Sequence, residues 1–249
     1  MSAENSGTLS LKEHIRELRN RLLRALLVLL LVFAALYPFA NRLFLWLSAP
    51  LRAALPEGSS MIAIHVASPF VIPMKVALVA AFFVVAPYLL YQAWAFVAPG
   101  LYRHERRWSW PLLACSVVLF YLGAAFAGFL VLPLVFSFLL GATPAGVLPM
   151  TDISAFLDFV LMMLPVFAVA FQVPVFTFVL VRSGITSTEF LAGQRSYVIV
   201  GAFAVGMVLT PPDIISQTLL ALPVWLLYEV GLLAARCIPV EPVEPVEAV

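Results

Sequence analysis

Residues 197–235 read YVIVGAFAVGMVLTPPDIISQTLLALPVWLLYEVGLLAA, and the division of this stretch decides the architecture. It is apolar over most of its length but is interrupted by Thr210-Pro211-Pro212-Asp213. Two successive prolines remove two backbone donors, and a carboxylate follows them, so no helix continues through lipid at this point. The region therefore predicts two short spans, 197–209 at about 20 Å and 214–235 at about 33 Å as helices. The first falls well below the roughly 30 Å of a bilayer's hydrocarbon, which requires local thinning or shelter against protein.

Upstream, four further apolar stretches have membrane length, at about 22–39, 76–98, 110–140 and 156–181. The count is six, and the fold class is all-α, a polytopic membrane protein. The third stretch exceeds what a crossing needs, so it tilts, projects or bends near Pro133. Residues 1–236 are expected to form a single membrane domain. The last thirteen, 237–249, carry Pro-Val-Glu three times and predict a disordered, acidic, extended tail.

Composition agrees with immersion in lipid. Of 249 residues, 63% are hydrophobic and 11% charged, where soluble domains carry about 25% charged. A net charge of +1 offers no basic excess for nucleic acid. Cys115 and Cys237 lack CxxC or metal spacing and read as buried small hydrophobes or idle thiols.

Orientation follows from the flanks. Lys12, Arg16, Arg19, Arg21, Arg24, Arg103, Arg106, Arg107, Arg182, Arg195 and Arg236 fall on one side, against Arg42, Arg52 and Lys75 on the other. The positive-inside rule then puts both termini in the cytoplasm. A cleavable signal peptide is the competing reading of the N-terminus, but the first apolar run is too long and Tyr37-Pro38-Phe39 is a poor cleavage site.

Outside the spans, Ser10 and Glu13 form a capping box. They predict a helix opening at Ser10 and lying at the cytoplasmic interface, with Leu11, Ile15, Leu18 and Leu22 on one stripe. The outer loop of about 40–75 contains an apolar segment, 42–55, expected to form a cap helix. Both outer loops, this one and 141–154, read as ordered rims.

Polar residues that could carry function are few. There is no HExxH, GxSxG or Walker A sequence, and His14, His65 and His104 all lie outside the spans. No enzyme, metal site or cofactor site is expected. A secondary transporter would place ionisable groups deep in its spans, and here Gln172, in Phe171-Gln172-Val173-Pro174, is the principal deep polar residue. Its bland alternative is a helix–helix hydrogen bond. Glu229 lies about two turns from Arg236 and reads as snorkelling toward the cytoplasm. Glu17 and Glu105 stand among many bases: Glu17 precedes Arg21 by four, the order of a local helical pair, and each carboxylate can equally accept a ligand's guanidinium fork.

At these residues the sequence resembles the TatC subunit family of the twin-arginine protein translocase. The matches are Glu17-Leu18-Arg19-Asn20-Arg21-Leu22, Ala67-Ser68-Pro69-Phe70, Phe96-Val97-Ala98-Pro99-Gly100-Leu101-Tyr102 with His104-Glu105-Arg106-Arg107, Phe171-Gln172-Val173-Pro174-Val175 and Leu209-Thr210-Pro211-Pro212-Asp213. The resemblance implies a concave six-helix bundle in the bacterial cytoplasmic (inner) membrane, capped by its outer loops. It implies a receptor for the paired-arginine signal peptides of folded cargo, assembled in several copies with TatB beside span five and with TatA. Glu17 and Glu105 map onto the family's arginine-binding carboxylates, and Arg19, Phe96 and Tyr102 belong to the same matched patches. Pro211, Pro212 and Asp213 match the outer-face turn, where Asp213 also suits a helix cap. The family often has glutamate at the position of Gln172, so no ionisable role carries over to it. A small-solute transporter and a membrane scaffold without a ligand site are the rival expectations.

Overall fold

The computed structural model describes residues 4–54, 64, 66–97, 109–141, 152–209 and 214–237. Its regular elements are helices: α1 (Glu4–Leu36), a 3-10 turn (Tyr37–Phe39), α2 (Ala40–Ala54), α3 (Ser68–Val97), α4 (Ser109–Phe126), a π-helical turn (Ala127–Val131), α5 (Leu132–Gly141), α6 (Ile153–Ala170), α7 (Val173–Arg182), α8 (Thr188–Gly193), α9 (Arg195–Leu209) and α10 (Ile214–Cys237). Among the described residues five helical segments are long and apolar enough to cross a membrane: Ile15–Ser48, Ser68–Phe96, Trp110–Phe138, Ile153–Arg182 and Gln217–Arg236. The shorter apolar helix Arg195–Val208 is the sixth segment of the reading above. Of the two pieces cut by the Pro-Pro-Asp turn, α9 has 15 residues and α10 has 24. At 1.5 Å per residue, α9 falls short of a bilayer and α10 does not.

The N-terminal expectation needs correction. The interfacial helix and the first span are one continuous 33-residue helix, α1, about 50 Å long. Ser10 lies inside it and does not open it. Good helix formers run through both parts without Gly or Pro after Gly7, so nothing stops propagation between them. Leu22, Leu23, Leu26, Leu27, Leu30 and Leu31 are each more than half exposed, an arrangement that suits lipid and not water. The helix turns at Pro38, which occupies the first turn of the 3-10 segment, and α2 follows as the expected cap segment. The rim 55–63, the loop 142–151, the Pro-Pro-Asp turn and the tail beyond 237 lie outside the described residues.

The chain divides into two compact units, Met1–Ala168 and Val169–Val249. In the first, α3 meets α4 through Phe82 and Phe83, whose rings lie 5.7 and 5.5 Å from Phe120. Phe126 meets Phe167 at 5.8 Å, and Phe136 meets Phe156 at 4.8 Å, joining the third span to α6. The π-helical turn ends two residues before Pro133. Proline cannot donate to the carbonyl one turn back, and the wider turn takes up that mismatch. Of the two readings of Cys115, buried small hydrophobe or idle thiol, the first does not hold: it is free and exposed on α4.

In the second unit, α7 packs against α10 and α9 returns along α10. An alanine carbon at Gly231 would stand 2.8 Å from Pro174 Cα and 3.0 Å from Thr177 Cβ, so only hydrogen allows this backbone approach. The Thr177 hydroxyl also lies against this position, 3.1 Å from the added carbon, and is satisfied within its own helix by donating to the Val173 carbonyl at 2.8 Å. Gly231→Ala is expected to cost about 1–3 kcal/mol through overpacking, read as a lowered thermal midpoint in detergent. Gly201→Ala, with nothing within 4 Å of the added carbon, should leave the midpoint unchanged or slightly higher.

Candidate functional site

The N-terminal part of α1 places Glu13, Glu17, Asn20, Arg21 and Arg24 at spacings of three and four, which gathers them on one face. Together with Arg16 they line a cleft of about 300 Å³. Three guanidiniums and two carboxylates share the cleft, so a further cation reaches a carboxylate oxygen there only in competition with the chain's own guanidiniums.

Glu17 is engaged. Arg21 donates from Nε at 2.9 Å and from Nη2 at 2.6 Å, both to Glu17 Oε1. Its third nitrogen, Nη1, donates to Gln92 Oε1 on α3 at 3.0 Å. Gln92 in turn donates from Nε2 to the Tyr88 hydroxyl at 2.6 Å, one turn back on the same helix. The local-pair reading of Glu17 and Arg21 therefore holds, and it is extended by a tertiary contact that the sequence did not reveal. With side chains 22% exposed at Arg21 and 39% at Glu17, the ion pair contributes only about 0.3–0.5 kcal/mol.

Of the other candidates, Arg19 lies on the exposed side of α1, its Nη2 3.5 Å from the neighbouring Asn20 Oδ1. Phe96 is half-buried in the last turn of α3, one turn beyond Gln92. Glu17, Arg19 and Phe96 thus belong to the first compact unit. Tyr102, Glu105, Pro211, Pro212 and Asp213 lie outside the described residues. Gln172 belongs to the second unit, at the break between α6 and α7, and is buried with 4% exposure. The break has a local cause. Pro174 cannot donate back, and the chain instead closes a tight turn, Gln172 N–H to the Val169 carbonyl at 2.9 Å, before restarting.

Glu229 pairs with Arg195 at the start of α9, in a two-bond fork from Nε to Oε1 at 2.6 Å and from Nη2 to Oε2 at 2.9 Å, a partner the sequence reading did not name. Beside the fork, the Tyr228 hydroxyl donates to the Leu191 carbonyl at 2.6 Å, and further along Gln217 Nε2 donates to the Phe203 carbonyl at 2.9 Å. The fork and the Gln217 bond fasten α9 to α10 at its start and at mid-length, and the Tyr228 bond fastens α8 to α10. Polar staples recur in the first unit: Lys75 to Asp158 at 2.6 Å, Ser68 to Ser154 at 2.6 Å, and Trp94 Nε1 to Ser116 Oγ at 2.9 Å.

Gln92 and Tyr88 escaped the sequence reading. The available signal was a glutamine four residues after a tyrosine within an otherwise apolar span, two polar groups that a helix stacks on one side. Among the described residues no group of three or more His, Cys, Asp or Glu is placed to hold a metal ion.

Residues 13–223 match the family model described as Sec-independent protein translocase protein (TatC). The chain is 55% identical over 228 residues to the TatC protein of Azotobacter chroococcum mcd 1, covering 92% of this chain and 89% of that one. It is 50% identical over 236 residues to the TatC protein of Escherichia coli K12, covering 95% and 91%. A crystal structure of a twin-arginine translocase receptor, TatC, superposes with a TM-score of 0.83 at 38% identity, covering 90% of this chain and 98% of that one.

For the staple on α9 and α10, Arg195→Gln and Glu229→Gln are expected to be non-additive. A double-mutant cycle on thermal stability should show the double variant losing less than the sum of the two singles.

Proposed function

The chain belongs to the TatC family of Sec-independent protein translocase proteins, and from that premise we propose that it is the signal-receiving core subunit of a twin-arginine translocase in the bacterial inner membrane. The observation that carries the reading is the Glu17 carboxylate, which already accepts two guanidinium bonds in a cleft on the N-terminal half of a helix whose C-terminal half is apolar and exposed. A site that holds one arginine has the shape and charge to hold another.

In this reading both termini face the cytoplasm, as the basic flanks favour. The paired arginines of a signal dock at Glu17 and at Glu105, with Arg19, Phe96 and Tyr102 shaping the surface around them. The planar fork of a guanidinium meets a carboxylate with two bonds, a geometry the point charge of lysine cannot reproduce. The signal's apolar segment then lies against the spans, where Gln172 can exchange hydrogen bonds with it. Short α9 is the seat for TatB, and TatA joins to complete passage. Pro211, Pro212 and Asp213 are assigned to the outer face by their match to the family motif. No covalent step is involved, and the work comes from the membrane potential, about 2.3 kcal/mol per charge per 100 mV.

Glu17→Gln and Glu105→Gln test the site. Each charge-assisted bond is worth about 1.5–3 kcal/mol, so each variant should weaken binding of a paired-arginine signal peptide by about 10- to 100-fold. Export of tagged cargo should fall with it. Glu17→Asp, which keeps the charge, should lose less. Unchanged capture and export with both carboxylates neutralised would remove the assignment.

A further inference from the structure

We propose that Arg21 is a resident competitor for Glu17: a guanidinium of the chain itself that an incoming signal arginine displaces, and that Gln92 then retains. The inference deepens the assignment of Glu17 as the signal's acceptor and rests on it.

Arg21 presents to Glu17 the same chemical group that the signal would bring. Two of its nitrogens crowd one oxygen, Oε1, at 2.9 and 2.6 Å, while Oε2 takes no bond among the described residues. A second guanidinium cannot form a planar two-bond fork with Glu17 while Arg21 holds Oε1 from both Nε and Nη2. Docking therefore requires Arg21 to yield. It has somewhere to go, because its Nη1 is bonded to Gln92 Oε1 at 3.0 Å. Gln92 is buried, 9% exposed, and its amide is oriented by donating to the Tyr88 hydroxyl at 2.6 Å, which leaves the oxygen turned to Arg21. The tether comes from a different helix than the carboxylate, so it survives when Glu17 changes partner.

Such an arrangement acts as a threshold for entry. A ligand must form a stronger, better-shaped bond to Glu17 than the resident arginine does. A ligand arginine meets that condition through its fork, and a ligand lysine, with a compact charge and no fork, meets it poorly. The exchange is cheap, because a partly exposed pair is worth little. Arg21 thus sharpens selection without closing the site.

The test uses the full chain in membrane vesicles carrying the receptor complex. The probe is a labelled synthetic peptide with two consecutive arginines ahead of an apolar segment, beside the same peptide with two lysines. Arg21→Gln is expected to tighten binding of the arginine peptide by about two- to fivefold and to narrow its advantage over the lysine peptide. Arg24→Gln removes the same charge from the same cleft without touching Glu17, and should tighten binding less. Gln92→Leu, which deprives the displaced Arg21 of its second partner, should weaken binding. Weaker or unchanged binding in Arg21→Gln, a gain no larger than in Arg24→Gln, or unchanged or tighter binding in Gln92→Leu would each overturn the proposal. Glu17→Gln measured alongside separates the two levels. Loss of binding there with no gain in Arg21→Gln removes competition alone, whereas undiminished binding there removes the acceptor role and the competition with it.

Discussion

A carboxylate with a guanidinium already seated on it, at the point where a long apolar helix emerges from lipid, is the interaction on which the rest of this structure depends. Glu17 and Arg21 lie one helical turn apart, so the pair forms locally, and Gln92 ties it to α3. The pair itself stabilises the fold little, since both groups are partly wet. Its importance is chemical. In the proposed reading, the carboxylate that accepts this guanidinium of the chain is also the acceptor for one brought by a signal.

The same scarcity of polar groups organises the whole molecule. Lipid supplies no hydrogen bonds, so packing and a handful of side-chain bonds must specify how helices meet. In the first unit these are Lys75 with Asp158, Ser68 with Ser154 and Trp94 with Ser116. In the second, Arg195 with Glu229 and Gln217 with the Phe203 carbonyl hold α9 on α10, while Gly231 lets α10 approach Pro174 and Thr177. Helix α9 is too short to anchor itself by length, which explains why bonds at its start and at mid-length matter there. A short helix held rigidly by its neighbour retains an exposed apolar face, Tyr197, Val200 and Val208 among its members.

Much of this was legible in the sequence because its signals are local. Apolar length marks the spans, Pro133 marks the irregular third span, and Pro211-Pro212 separates α9 from α10, whereas the break before α7 at Pro174 is hidden within a stretch whose apolar length reads as one span. The Glu17–Arg21 pair is also local, four residues apart. What could not be read depends on distance along the chain: Arg195 and Glu229 are 34 residues apart and Arg21 and Gln92 are 71 apart, and no periodicity links them. The capping box at Ser10 misled for a different reason. A cap motif stabilises a helix start only where the chain upstream is not itself helical, and α1 begins at Glu4. Exposure at Cys115 could not be read either, since lipid-facing and protein-facing sides of a span share the same apolar composition.

The most direct measurement is a structure of the chain with a paired-arginine signal peptide bound in a membrane-like environment. A guanidinium of the signal should lie within hydrogen-bond distance of the Glu17 carboxylate, with Arg21 drawn toward Gln92. Signal arginines seated elsewhere, with Glu17 still holding Arg21 as it does here, would contradict the account.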